Sequence, residues 1–220
     1  LLGWRKAVDG KVFFTLFVET GRVKGGKKMA LRAIAEKFPS IEFRLTTNQN
    51  VILANVAGEE KAGINSILAA HGIPTENQAS VLHAVAMACP ALPTCGLALA
   101  ESERMLPGLV DRIEKLCAEV GLAGKEIIIR STGCPNGCAR PYLAEIGFVG
   151  KSPGRYQIWL GSDVAGTRLN RLWKDMVKDP DIENELRPLL ARYAKERNNG
   201  ERFGDFCDRV VLQETPVTAN

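Results

Sequence analysis

The stretch Ser131-Thr132-Gly133-Cys134-Pro135-Asn136-Gly137-Cys138-Ala139-Arg140-Pro141 sets two cysteines four positions apart among glycine and proline. Just before it, Ile127-Ile128-Ile129 is a β-branched run that predicts a strand over 127–130, so both cysteines ride a loop at a strand's carboxyl end. Residues 144–149 and 156–160 read as further strands around the turn Lys151-Ser152-Pro153-Gly154-Arg155. Upstream, Cys89 and Cys95 stand in Ala88-Cys89-Pro90-Ala91-Leu92-Pro93-Thr94-Cys95-Gly96, where two prolines exclude a regular helix. Four thiols thus arrive as two local pairs on loops, the pattern of a metal site.

Between and beyond these loops the chain reads as helical. Residues 97–105 and 107–120 predict consecutive helices, the second with Pro107 in its first turn. After Gly166, Leu169, Leu172, Trp173 and Met176 fall on one helical stripe, and 182–197 carries Leu186, Leu189, Leu190 and Tyr193 on another. The tail, 215–220, reads as frayed.

The amino-terminal part has a different rhythm. Residues 11–19, rich in Val and Phe, predict a buried strand, and 27–38 a helix that Pro39 stops. Residues 42–46 and 51–56 form a hairpin around Thr47-Asn48-Gln49-Asn50, and 59–71 is again helical, stopped by Gly72. The order β-α-β-β-α predicts a ferredoxin-like sandwich with one strand fewer than the full motif. The polar, proline-marked segment 74–78 divides the chain into 1–78 and 79–220. The expected class is α+β, a ferredoxin-like sandwich followed by an α/β domain that carries the thiols.

Composition narrows the setting. At 220 residues, 45% hydrophobic and 25% charged, the chain buries a core unaided. Six unevenly placed cysteines are too few for a disulfide scaffold and point to a reducing compartment. There is no apolar run of the roughly 18 residues a membrane helix needs, so a cytoplasmic location without a membrane partner is expected. A net charge of +4 with intermixed signs argues against a nucleic-acid surface and leaves room for a small anion. The chain opens on Leu1 rather than Met, which points to an internal start: a fragment, a cleaved product or a partly ordered chain.

Thiolates suit a structural zinc or a [4Fe-4S] cluster. Zinc pairs most often enclose two to four residues, whereas Cys89 and Cys95 enclose five, which favours the wider cubane. Cys117, on a helix, and Cys207, beside Phe206, are solitary and read as core residues. His71 at a helix end and His83 in an apolar run read as structural, with no Asp or Cys partner at ligand spacing.

At Cys89-x5-Cys95 and Thr132-Gly133-Cys134-Pro135-Asn136-Gly137-Cys138-x-Arg140-Pro141 the chain resembles the sulfite and nitrite reductases that carry siroheme and a [4Fe-4S] cluster. The likeness extends to 15–22, 43–50, 97–104, 149–156 and 204–206, and within the family it is nearest to the assimilatory sulfite reductases. It implies an α/β siroheme and cluster domain over 79–220, and that Cys89, Cys95, Cys134 and Cys138 hold the cluster. It also implies that Cys138 bridges cluster and siroheme iron and is the catalytic position, with Asn136 and Arg140 as cofactor-binding neighbours. The implied reaction is six-electron reduction of sulfite to sulfide, fed by a flavoprotein reductase subunit or a ferredoxin. Such reductases are doubled structures more than twice this length. The resemblance therefore implies the carboxy-terminal half of one, inactive without the amino-terminal half and its anion-binding Arg and Lys residues. A ferredoxin-dependent nitrite reductase is the nearest alternative, and a zinc-stabilised binding module the alternative of another class. Asn48, Gln49 and Asn50 read as a turn, and Lys151 and Arg155 as either a solvated basic turn or contacts to an anionic macrocycle.

Overall fold

The computed structural model describes residues 2–214; the tail expected to fray lies outside them. The chain divides into two compact units, Leu1–Ala79 and Ser80–Asn220. No helix among the described residues is long and apolar enough to cross a membrane.

The first unit contains β1 (Gly3–Lys6), β2 (Val12–Leu16), α1 (Gly25–Lys37), β3 (Glu42–Leu45), β4 (Val51–Val56) and α2 (Glu60–Ala70). Its sheet is antiparallel throughout, in the order β1-β2-β4-β3. Phe14, Leu16, Val51 and Leu53 from the central strands meet Ala30 and Ile34 of α1 and Ile64 and Leu68 of α2 in one core. The strand missing from the expected motif is β1, which enters ahead of the motif and fills the edge beside β2. Its sequence, Gly3-Trp4-Arg5-Lys6, offers a single large apolar side chain and no strand-like alternation. Trp4 alone anchors it, packed on Phe14 at 5.1 Å with its indole N–H donated to Asn65 at 2.9 Å. The 47–50 segment is the expected turn: Thr46 Oγ1 accepts the Asn48 and Asn50 N–H groups, and buried Asn50 accepts the Val18 N–H.

The second unit contains α3 (Val81–Val85), β5 (Met87–Ala88), α4 (Leu106–Glu119), β6 (Ile129–Thr132), β7 (Ile146–Ser152), β8 (Arg155–Leu160), β9 (Arg171–Lys178) and α5 (Ile182–Glu196). Short helical turns continue over 203–214. The sheet order is β5-β6-β7-β8-β9, parallel across β5, β6 and β7 and antiparallel from β7 to β9. Leu109, Ile113 and Leu116 of α4 and Leu186 and Leu190 of α5 pack with Ile129, Phe148 and Ile158 of the sheet.

Two sequence expectations fail here. Residues 97–105 are not a helix but an irregular loop, because their backbone donors go elsewhere: the Leu99 and Ala100 N–H groups both bond the Gly133 carbonyl, at 2.8 and 3.0 Å. The stripe from Leu169 to Met176 is not helical either. Residues 171–178 form the edge strand β9, whose pairing with β8 satisfies the backbone while Leu169 and Met176 stay exposed. Tertiary pairing overrides a helix-like spacing that had no face to bury.

Candidate metal centre

Parallel pairing decides the site. Because β5 and β6 run the same way, in the register Met87↔Arg130 and Ala88↔Ser131, their carboxyl ends open on the same edge of the sheet. Cys89 is the first residue after β5, and Gly133-Cys134 are the first after β6. Both cysteine pairs therefore leave neighbouring parallel strands at their carboxyl ends, the edge where α/β sheets bind ligands. Parallel strands require a crossover of a dozen or more residues, usually a helix. Between β6 and β7 that crossover is the Cys134–Cys138 loop and one 3-10 turn, Pro141–Leu143.

The two loops interlock. The Cys89 N–H bonds the Ser131 carbonyl at 3.2 Å, and the Glu103 N–H bonds the Cys89 carbonyl at 3.1 Å. The Gly133 N–H donates to the Cys89 sulfur at 3.3 Å, while the Gly133 carbonyl receives Leu99 and Ala100. A Cβ at Gly133 would stand 2.6 Å from both the Ala100 oxygen and the Ala91 Cβ, and one at Gly150 would stand 2.5 Å from the Gly133 oxygen. Only bare backbone fits at that junction. Cys95 is held by its own loop, its N–H on the Ala91 carbonyl at 2.7 Å.

The Cys134–Cys138 loop is clamped from outside. Tyr142 donates its hydroxyl to the Pro135 carbonyl at 3.2 Å and stacks edge-on to Trp159. Buried Asn170 donates to the Pro141 and Ala144 carbonyls at 2.7 and 3.0 Å. Arg130 Nη1 reaches the Arg140 and Leu143 carbonyls at 3.3 and 3.1 Å. Arg140, at φ 55°, turns its guanidinium to the Met87 sulfur at 3.4 Å, beside Cys89 in the small cluster of Met87, Cys89, Ala91 and Ala139.

Burial grades the thiols. Cys89 and Cys134 are each 8% exposed, Cys95 is half-buried, and Cys138 and Asn136 are exposed. Burial pushes the Cys89 thiol up, against the opposing pull of the Gly133 N–H and the Ser102 hydroxyl, and the nearby Cys138 charge raises it further. Burial also lowers the Arg130 pKa, with the like charge of Arg140 adding to it, and raises that of Tyr142, with Cys134 adding. Among the described residues no three His, Cys, Asp or Glu side chains gather around a point where one metal ion would sit.

Several buried polar atoms of the second unit make no protein hydrogen bond of normal geometry: the hydroxyls of Ser102, Ser131 and Thr132 and the Nε of Arg130. Such atoms are costly unless something accepts or donates to them. Four thiols on two interlocked loops, a Gly133 N–H turned to the Cys89 sulfur and a glycine-lined junction fit a sulfur-rich inorganic core.

The cysteines sorted as core behave as core. Cys117 and Cys207 are buried in the main cluster; burial raises the Cys117 thiol to about 11 and pushes the Cys207 thiol well up. His83 finds a partner far along the chain: its Nε2 lies 3.0 Å from Asp111 on α4, a contact that local spacing could not show. Lys151 is exposed and Arg155 half-buried. Sequence reasoning missed Ser102, Arg130, Tyr142 and Asn170, whose roles depend on crossovers between segments and leave no local motif.

Residues 5–71 match the model of the nitrite/sulfite reductase ferredoxin-like half domain. This stretch thus resembles the half domain of nitrite and sulfite reductases, and the sequence as a whole is similar to longer proteins that carry such names. Proteins it is similar to include sulfite reductase [NADPH] hemoprotein beta-components. That of Staphylococcus saprophyticus is 50% identical over 216 residues, 96% of this chain and 38% of that protein. That of Geobacillus kaustophilus is 53% identical over 214 residues, 96% of this chain and 37% of that protein. The chain thus spans under two fifths of the length of the curated relatives it matches. Among solved structures it is similar to the Mycobacterium tuberculosis NirA protein, with a TM-score of 0.77 at 23% identity, covering 94% of this chain and 40% of that one. It is also similar to dissimilatory sulfite reductase I, with a TM-score of 0.62 at 12% identity, covering 92% of this chain and 67% of that one. These two likenesses speak for the fold.

Proposed function

We propose that this chain is the cluster-bearing part of an assimilatory sulfite reductase, with Cys89, Cys95, Cys134 and Cys138 as ligands of a [4Fe-4S] cluster and Cys138 as the thiolate shared with a siroheme iron. The observation that carries this reading is the exit of both cysteine pairs from the carboxyl ends of the adjacent parallel strands β5 and β6. When bound, the coupled cluster and siroheme supply one-electron deliveries to an anion that needs six electrons to reach sulfide.

The chain's own residues do the positioning. Cys89 and Cys134, nearly closed to water, would hold the cluster from inside, and exposed Cys138 would be open to a second metal centre. Ligation deprotonates Cys89, which burial alone would keep as a thiol. The Gly133 N–H already points at that sulfur and stabilises the thiolate. Arg140 and Asn136 stand on the same loop as Cys138, suited to bind carboxylates of the macrocycle, and Arg130, Tyr142 and Asn170 keep that loop in place. We place the domain division at 78/79, the anion-binding Arg and Lys residues in the part of the relatives that this chain does not span, and the electron source in a flavoprotein reductase subunit or a ferredoxin. Activity then belongs to the protein of the relatives' length, in the cytoplasm, with neither nucleic acid nor membrane as partner.

Dye-coupled reduction of sulfite and of nitrite by that longer protein tests the assignment. Sulfite is expected to be reduced to sulfide with the higher kcat/KM, and Cys138→Ser to lose turnover together with siroheme–cluster coupling. Faster turnover of nitrite, or full sulfite turnover by Cys138→Ser, contradicts it.

A further inference from the structure

Ser102 lies in the loop that precedes α4, outside both cysteine motifs. Its side chain is 0% exposed, and its hydroxyl has no hydrogen-bond partner of normal geometry. Its position is fixed from both sides: the next residue, Glu103, gives its N–H to the Cys89 carbonyl at 3.1 Å, and the Leu106 N–H bonds the Ser102 carbonyl at 2.9 Å. The backbone bond from Glu103 sets this buried hydroxyl beside the Cys89 segment, near enough to pull the Cys89 thiol's pKa down, and that sulfur already accepts the Gly133 N–H. A neutral thiol is a weak acceptor, and a hydroxyl beside it gains little. A metal-bound thiolate is a strong acceptor and would take the hydroxyl proton as a second hydrogen bond.

We propose that Ser102 is a positioning and potential-setting residue, its hydroxyl donating to the Cys89 sulfur when a [4Fe-4S] cluster is bound there. The proposal rests on the cluster reading given above. A hydrogen bond to a cluster sulfur stabilises the more electron-rich, reduced state, so it raises the reduction potential. Ser102 then makes the cluster easier to reduce by its electron donor, without touching substrate.

The test uses the protein isolated anaerobically with its cofactors, compared with Ser102→Ala and Ser102→Thr. Iron and acid-labile sulfide are assayed on each, and the cluster is titrated electrochemically with its electron paramagnetic resonance signal as readout. The expected result is equal iron and sulfide in all three, a lower midpoint potential in Ser102→Ala, and a return toward the wild-type value in Ser102→Thr, which keeps the hydroxyl. Electron-nuclear double resonance on wild-type protein exchanged into D2O gives an independent reading that needs no variant. Two exchangeable hydrogens coupled to the cluster through the Cys89 sulfur are expected, from Gly133 and Ser102. A fully loaded Ser102→Ala with the wild-type potential, or a single exchangeable coupling in the wild type, overturns the role of Ser102 and leaves the cluster reading standing. Wild-type protein that carries zinc, or no iron and sulfide, overturns both.

Discussion

At the scale of single residues the six cysteines divide by environment. Cys117, raised to about 11 by burial, is deprotonated to about one part in a thousand at pH 8, and burial pushes the Cys207 thiol up as well. In metal-free protein, alkylation at pH 8 followed by mass spectrometry is therefore expected to label exposed Cys138 first and half-buried Cys95 next, with Cys117 and Cys207 labelled only on unfolding. Early labelling of Cys117 contradicts the division. In loaded protein, Cys117→Ser buries a hydroxyl in an apolar cluster and is expected to cost about 1–3 kcal/mol of stability with iron and sulfide unchanged. Cys134→Ser is expected to lose iron. Legibility follows the same line. The four proposed ligand positions stand out in the sequence because each pair carries its signal within a few residues. Ser102, Arg130 and Asp111 do not, because what they act on lies ten or more residues away along the chain.

At the scale of elements, stability of the site lies in junctions rather than in helices. Gly133→Ala would push a Cβ into the Ala100 carbonyl and Ala91, so it is expected to cost about 1–3 kcal/mol and to reduce the cluster load, which thermal melts and iron assays both read. The buried Glu145 carboxylate ties three segments: it accepts the Ile128 N–H at 2.9 Å, Arg202 Nη2 at 2.6 Å and the Gly204 N–H at 3.1 Å. Glu145→Ala strips all three, and breaking such a pair is expected to cost about 3–5 kcal/mol in chemical denaturation. Of the elements, α1, α2, α4 and α5 follow the apolar spacing of their sequence, since each has a sheet face to cover. Residues 97–105 and 171–178 do not, because the Gly133 carbonyl and the open edge of β8 claim their backbones. β1 was illegible for a third reason: a four-residue edge strand needs only one anchoring side chain, and Trp4 supplies it.

At the scale of the whole molecule, each unit has its own core, and the carboxy-terminal turns are bound into the second by ion pairs as well as by Phe203 and Phe206. One pair makes that attachment pH-dependent. Glu201 accepts from Arg209 Nε and Nη2 at 2.7 and 2.8 Å and from the Asn198 N–H at 2.8 Å; the Arg209 contacts hold its carboxyl below the usual value, more than burial lifts it. A lowered folded value means stability that is present above the unfolded pKa of about 4.3 and is lost as pH falls through the folded one. Glu201→Gln is expected to flatten the acid side of the stability profile below that pH and to leave its slope above pH 6 unchanged; an unaltered acid limb contradicts the coupling. The largest claim is that the two cysteine pairs form one cluster beside a siroheme. It is tested most directly by the anaerobic visible absorption spectrum of the isolated protein, with iron, zinc, acid-labile sulfide and siroheme assayed on the same sample. The account predicts iron in excess of acid-labile sulfide by the one iron of each siroheme, about five to four, and a siroheme band that Cys138→Ser perturbs. A colourless protein that carries zinc, or one that fails to take up iron and sulfide on reconstitution, would contradict it.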